Sequence, residues 1–266
     1  MKKINYQILL SLAIFSISAF AFAPTAIGES NVSGNGTINF EGEYAQEVRD
    51  PEHPETILNP GDSPKTSGDL RIDFVPQFNF GSNKISDKDE KYYGNAQLFH
   101  DKTGARGNFI QISDYRGTGS GWILQVRQET QFRNDTTTNK ELNGAVISLD
   151  QSWANSTRSE MEAPIVSKDV IRINNIGETY NLAEASQGKG QGTWSINFGA
   201  SIENDKGRKD TLSPKMDTHG KPMLDPAFEN KPIYQNEALT LSIPGATKKD
   251  PVNYQTVITW ILSELP

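Results

Sequence analysis

Apolar residues recur at every second position in short segments spread along the chain. In 71–81, Ile72, Phe74, Phe78 and Phe80 are apolar while Arg71, Asp73, Gln77 and Asn79 are polar, and Pro76 marks an edge or a bulge. The same period places Trp122, Leu124 and Val126 opposite Gln125 and Arg127. It places Ala145, Ile147 and Leu149 opposite Ser148 and Asp150, and Trp194, Ile196 and Phe198 opposite Ser195 and Asn197. Leu239, Leu241 and Ile243 oppose Thr240 and Ser242. Near the end, Tyr254, Thr256, Ile258, Trp260 and Leu262 share one face. Each segment reads as a half-buried strand. A further strand is expected at 37–41, and no segment beyond the N-terminal run shows a helical period.

Asn143-Gly144, Gly94-Asn95 and Lys206-Gly207 punctuate these strands as turns require. Strands with one apolar face need a second layer over that face. The predicted class is therefore all-β, a β-sandwich or barrel-like pair of antiparallel sheets with long loops. Residues 50–68 hold four prolines among acidic and small residues, and are expected as an extended linker or exposed loop. The division expected is 29–68, an N-terminal strand and Pro-rich linker, then one domain over 69–266. Residues 204–234 lack alternation and read as a long surface excursion.

The first residues change the picture. Lys2 and Lys3 precede an apolar run over 8–22, with small-residue cleavage sites at Ala21-Phe22-Ala23 and Ala26-Ile27-Gly28. This pattern predicts a secretory signal peptide over 1–28, and hence export. The formal net charge is −7, and loss of Lys2 and Lys3 with the leader makes it −9. That sign argues against nucleic acid and anionic lipid as partners. The chain has no cysteine, so an exported form must be stabilised by its core alone, without disulfides, thiol nucleophile or Cys-ligated zinc.

Catalytic signals are weak, and no catalytic residue, metal site or cofactor is assigned. His53, His100 and His219 have no metal-ligand spacing. Gly117-Thr118-Gly119-Ser120-Gly121 has its serine one residue too late for a nucleophile elbow, and Gly188-Lys189-Gly190-Gln191-Gly192 precedes no helix that could make it a phosphate loop. Asp87, Asp89 and Glu90 lack the turn glycine and bidentate glutamate of a calcium loop. Trp153, among polar residues, and Tyr92 and Tyr93, after a charged stretch, are candidate exposed ligand contacts. The alternative for each is a ring folded over a sheet edge.

Two Trp-x-Leu sequences remain, Gly121-Trp122-Ile123-Leu124 and Thr259-Trp260-Ile261-Leu262. Alternation favours core burial of both indoles, and an exposed aromatic platform for sugar rings is the other reading. The first motif follows Asp114-Tyr115-Arg116-Gly117 and precedes Phe132; the second follows Tyr254, and Pro266 closes the chain. With Leu142-Asn143-Gly144-Ala145, Gly192-Thr193-Trp194 and Ile243-Pro244-Gly245-Ala246, this ordered set resembles the WxL-domain surface proteins of low-GC Gram-positive bacteria. The motif residues carry over onto Trp122, Leu124, Trp260 and Leu262, supported by Gly121 and Tyr254. The middle positions, Ile123 and Ile261, depart from the family's frequent small hydroxyl residue, which suggests a partly covered outer face.

The resemblance implies a protein of the cell wall and cell surface, held non-covalently, with peptidoglycan as ligand. It implies a membrane-anchored WxL-interacting protein and other surface proteins as partners, and no enzymatic activity. After Leu262 the sequence Ser263-Glu264-Leu265-Pro266 shows no sorting motif or basic tail, so retention by contact is expected. Three rivals stand beside wall binding: docking on a partner protein, adhesion to host matrix protein through 204–234, and wall hydrolysis by paired carboxylates.

Overall fold

The computed structural model describes residues 46–265, so the leader at 1–28 and the strand expected at 37–41 lie outside the described residues. The strands are β1 (Val48–Arg49), β2 (Ile57–Leu58), β3 (Leu70–Phe74), β4 (Glu90–Asn95), β5 (Asn108–Asp114) and β6 (Trp122–Gln128). They continue with β7 (Val146–Leu149), β8 (Ser152–Asn155), β9 (Ile165–Val166), β10 (Ile171–Ile173), β11 (Thr179–Ala185) and β12 (Gly192–Phe198). The last are β13 (Leu212–Pro214), β14 (Leu224–Asp225), β15 (Lys231–Pro232), β16 (Tyr234–Ile243) and β17 (Ile258–Glu264). Helix among the described residues is confined to two short 3-10 turns, Glu160–Glu162 and Pro226–Phe228.

Pairing is antiparallel throughout, as short connections between alternating strands dictate. It builds three larger sheets where a pair was expected: β3-β5-β12-β8, β17-β6-β11-β9, and a sheet in which β16 pairs β7, β13 and β4 while β10 extends from β7. The β1-β2 and β14-β15 hairpins stand apart. Apolar faces of all three sheets meet in one core that includes Trp122, Leu124, Ile110, Ile147, Trp194, Ile196, Phe198 and Leu239.

A bulge at β3 corrects one detail of the alternation. The register shifts between Ile72 and Phe74, so Ile72 joins the main core while Phe74 turns to a second cluster with Leu58, Phe99 and Phe109. Phe109 lies on β5, which is buried along its whole length because both its faces are covered. The 204–234 excursion is largely exposed but not structureless. It is anchored by β13 on β16, with Thr211 Oγ1 donating to Asn236 Oδ1 at 2.9 Å.

The Pro-rich segment departs most from expectation. Its later part, 61–69, is mostly exposed coil, pinned to the outer edge of β3 by the bond from Val75 N to Ser63 Oγ at 3.1 Å and that from Thr66 N to Ile72 O at 2.9 Å. Its earlier part is a clamped arm. Asp50 and Glu52 are 2% and 1% exposed and face Arg106, itself 3% exposed. Arg106 Nε lies 3.0 Å from Asp50 Oδ1 and 3.4 Å from Glu52 Oε2, and Nη1 lies 2.7 Å from Glu203 Oε2. Ser201 donates from N and Oγ to Glu52 at 2.6 and 2.5 Å. Asn155 Nδ2 donates to Pro51 O at 3.0 Å, and Gln111 Nε2 to Glu47 O at 2.8 Å. Composition suggested solvation because the one cation that neutralises these carboxylates lies far downstream.

Burial pushes the Glu52 carboxyl up, against the Ser201 hydrogen bonds and the Arg106 charge that pull it back. Arg106→Met leaves two buried carboxylates without a counter-ion and should cost about 3–5 kcal/mol, read as a lower urea midpoint. The folded Glu52 pKa lies above its unfolded value, so its contribution is complete below the ordinary Glu range and is lost as pH rises through the folded pKa. Glu52→Gln should therefore flatten the decline in stability over that rise, in a pH series of the same melts.

Candidate functional site: the paired Trp-x-Leu strands

The two motifs, remote in sequence, are hydrogen-bonded neighbours. β17 pairs antiparallel with β6, with Trp260 opposite Val126, Leu262 opposite Leu124 and Glu264 opposite Trp122. Residues opposed in register share a face, so both tryptophans and both leucines point to the core side. Trp122 and Leu124 are fully buried there. The Trp122 Nε1–H donates to Gly190 O at 3.0 Å, and Trp194 Nε1–H donates to Gln191 O at 3.0 Å. The loop between β11 and β12 thus accepts from both indoles, and the glycine-rich 188–192 stretch is an indole cradle. Gly190 has φ +70°, and a Cβ there would lie 2.6 Å from Trp122 Nε1. Gly121 has φ +85°, and a Cβ there would lie 2.2 Å from Ala185 O. Both positions need glycine for conformation and for space.

Trp260 and Leu262 are only half-buried, since β17 is the edge of its sheet. Phe78 meets the Trp260 ring edge-on, with centroids 5.7 Å apart. Tyr254 anchors the approach to β17: its hydroxyl accepts from Asp250 N at 3.0 Å and donates to Asn139 O at 2.7 Å. Asp250 accepts from Thr137 Oγ1 at 2.5 Å and from Asn139 N at 2.8 Å, and these bonds hold its carboxyl below the ordinary range. Arg116 ties the ends together, with Nη2 2.8 Å from Asp114 Oδ2 and Nη1 2.7 Å from Glu264 Oε1. The Ser120 hydroxyl donates to Glu264 Oε1 at 2.7 Å. Asp114 and Arg116 carry no local sequence signal for this tie, because Glu264 lies about 150 residues downstream of both.

The opposite face of the sheet is the accessible one. Its rows are Ser263, Ile123, Glu184 and Ile165; then Ile261, Gln125 and Asn181; then Thr259, Arg127 and Thr179. Gln125 Nε2 donates to Asn181 Oδ1 at 2.6 Å, and Arg127 pairs with Glu129 at 2.8 Å. Ile165 is 73% exposed and Val257 56%.

A family model described as "WxL domain surface cell wall-binding" matches residues 28–266. The chain belongs to the WxL family. No curated protein and no solved structure matches it. Membership associates the protein with the cell surface and wall, and within this WxL chain the family's two motifs form the adjacent strands β6 and β17.

The WxL sheet does not gather the other candidates. Trp153, a candidate exposed contact, is 3% exposed. It lies on β8, its Nε1–H donates to Gly199 O at 2.9 Å, and Arg208 covers its ring at 5.5 Å. Its polar neighbour Asn155 shares its strand face and is buried with it, so the polar sequence around the ring hid the burial. Tyr92 and Tyr93 are not loop residues but part of β4, opposite Leu241 and Thr240 of β16. Tyr92 packs against the core, and Tyr93, half-buried, lies 5.9 Å from the Lys91 ammonium. His100 stacks on Phe228 at 4.7 Å, and no cluster of three His, Cys, Asp or Glu able to hold a metal occurs among the described residues.

Trp122→Ala should cost about 3–5 kcal/mol by urea unfolding, because it empties a core position and orphans Gly190 O. Trp260→Ala should cost about 1–2 kcal/mol, since only part of that ring leaves water on folding. Gly190→Ala should destabilise by more than about 1 kcal/mol through its positive φ and the collision with Trp122. Equal losses for the two tryptophan variants would contradict this ranking.

Proposed function

We propose that this protein is exported and grips peptidoglycan of the bacterial wall non-covalently through the outer face of its WxL sheet, displaying or scaffolding other surface proteins there. In this reading the sheets stack as sandwich-like layers, with the WxL sheet presented outward. The observation that carries it is the division of faces. Trp122 is committed to the core and Trp260 faces the core side half-buried, while Gln125, Asn181, Thr259, Thr179 and Ser263 lie on the accessible side. Amides and hydroxyls on a flat sheet suit the amide and hydroxyl groups of glycan and stem peptide. A formal charge of −7 gives no long-range attraction to a wall rich in anionic polymer, so short-range hydrogen bonds must dominate.

A second reading is supported by Ile123, Ile261 and Ile165 on that same face and by the unoccupied edge of β17. Apolar side chains and free backbone groups suit another polypeptide better than a sugar. Wall retention would then pass through a membrane-anchored partner.

Sedimentation with purified, protein-free peptidoglycan separates the two. Direct binding predicts that the bound fraction holds or rises as salt is raised above about 0.1 M, where the screening length is about 10 Å. Gln125→Ala and Asn181→Ala should each weaken binding by about threefold to tenfold, the worth of one hydrogen bond. Removal by moderate salt would make the contact ionic and end the proposed mechanism, and no binding at all would leave the partner-mediated reading.

A further inference from the structure

Among the described residues, the backbone of β17 has partners on one side only. Glu129 N donates to Val257 O at 2.9 Å and Leu265 N to Gly121 O at 3.4 Å, which fixes the odd-numbered residues as those bonded to β6. The N–H and C=O groups of Ile258, Trp260 and Leu262 therefore point away from β6. No described residue hydrogen-bonds them.

The other edges of the three larger sheets are covered, shorter or irregular, β8 running four residues. The outer edge of β3 is covered by Ser63 and Thr66. β9, β10 and β13 run two or three residues, and the pairing of β4 with β16 is broken by a register shift. β17 runs seven residues in unbroken register, with no Pro or Lys. A strand of that kind is a template for another strand unless something protects it. The incomplete burial of Trp260 and Leu262 has the same origin, because no described strand lies beside them on that side.

We infer that the free edge of β17 receives an extended segment of a different polypeptide, basic rather than acidic, which adds a strand beside Trp260 and completes its burial. This rests on the protein-docking reading of the WxL sheet. The bare groups recur every second residue, the spacing of a polypeptide strand. Charge selects the kind of segment. Glu264, the single charged side chain of β17, is already paired with Arg116, so the selection comes from the formal charge of −7 over the whole chain, which opposes an acidic strand and a second copy alike.

The test uses the whole chain and a synthetic peptide with the sequence of residues 121–128, the strand that already pairs with β17 on its other side, flanked by lysines. Saturating peptide should slow amide hydrogen exchange at Ile258, Trp260 and Leu262 by about tenfold or more, and leave Thr259 and Ile261, already bonded, unchanged. The same peptide with its basic residues replaced by glutamate should bind at least about tenfold more weakly. Ile258→Pro removes an outward N–H and no bond to β6, so it should abolish the protection while circular dichroism stays that of the parent. No slowing at the three edge amides overturns the proposal. So does their concentration-dependent protection without peptide, which would assign the edge to a second copy. Protection confined to Ile123 and its outer-face neighbours would end the edge proposal and leave docking on that face standing.

Discussion

A buried indole N–H must find an acceptor, and two of them here depend on one short loop. Gly190 and Gln191 offer their carbonyls to Trp122 and Trp194, which belong to different sheets. The loop can approach only because Gly190 has no side chain and adopts a positive φ. With those bonds in place, β6 is fixed by its first residue, and β17 inherits its register from β6. The position of the second motif is thus a consequence of how the first is seated.

That seating has a functional corollary. A strand has two faces, and a tryptophan committed to the core cannot also serve as a sugar platform. Trp122 is sealed and Trp260 half-open, and what alternates with them on the accessible face is amides, hydroxyls and three isoleucines, Ile123, Ile261 and Ile165. The proposed wall binding and the proposed partner docking would draw on the same surface, and they differ in whether its polar or its apolar groups dominate.

Without disulfides, the fold covers its polar sheet face in another way. The outer side of β5 and β12 carries Gln111, Ser113, Ser195 and Asn197, all nearly solvent-free. The arm at 46–60 covers part of it through hydrogen bonds and the Asp50–Arg106–Glu52 cluster, beside the apolar contact that Leu58 and Val48 make with Phe109. Such a contact is sensitive to geometry, because each buried charge depends on its partner.

Period-two alternation was enough to locate β6, β7, β12, β16 and β17 and the all-β class, because half-buried strands write their burial into sequence. β5 is not legible in this way, since both its faces are covered and Asn108, Gln111 and Ser113 look solvated when read locally. The 50–60 arm reads as solvated, and the sequence leaves Trp153 open between a ligand contact and a ring over a sheet edge, for the same reason: a polar neighbourhood in sequence is a buried polar neighbourhood in space. The two motifs and the glycine before the first were plain in the sequence. That they pair with each other, that one indole is sealed and the other half-open, and that β17 ends the sheet were decided by tertiary structure alone. Local pattern determines which way a side chain faces along its own strand. Which strand comes next to it, and whether any does, depends on contacts between residues that the sequence keeps far apart.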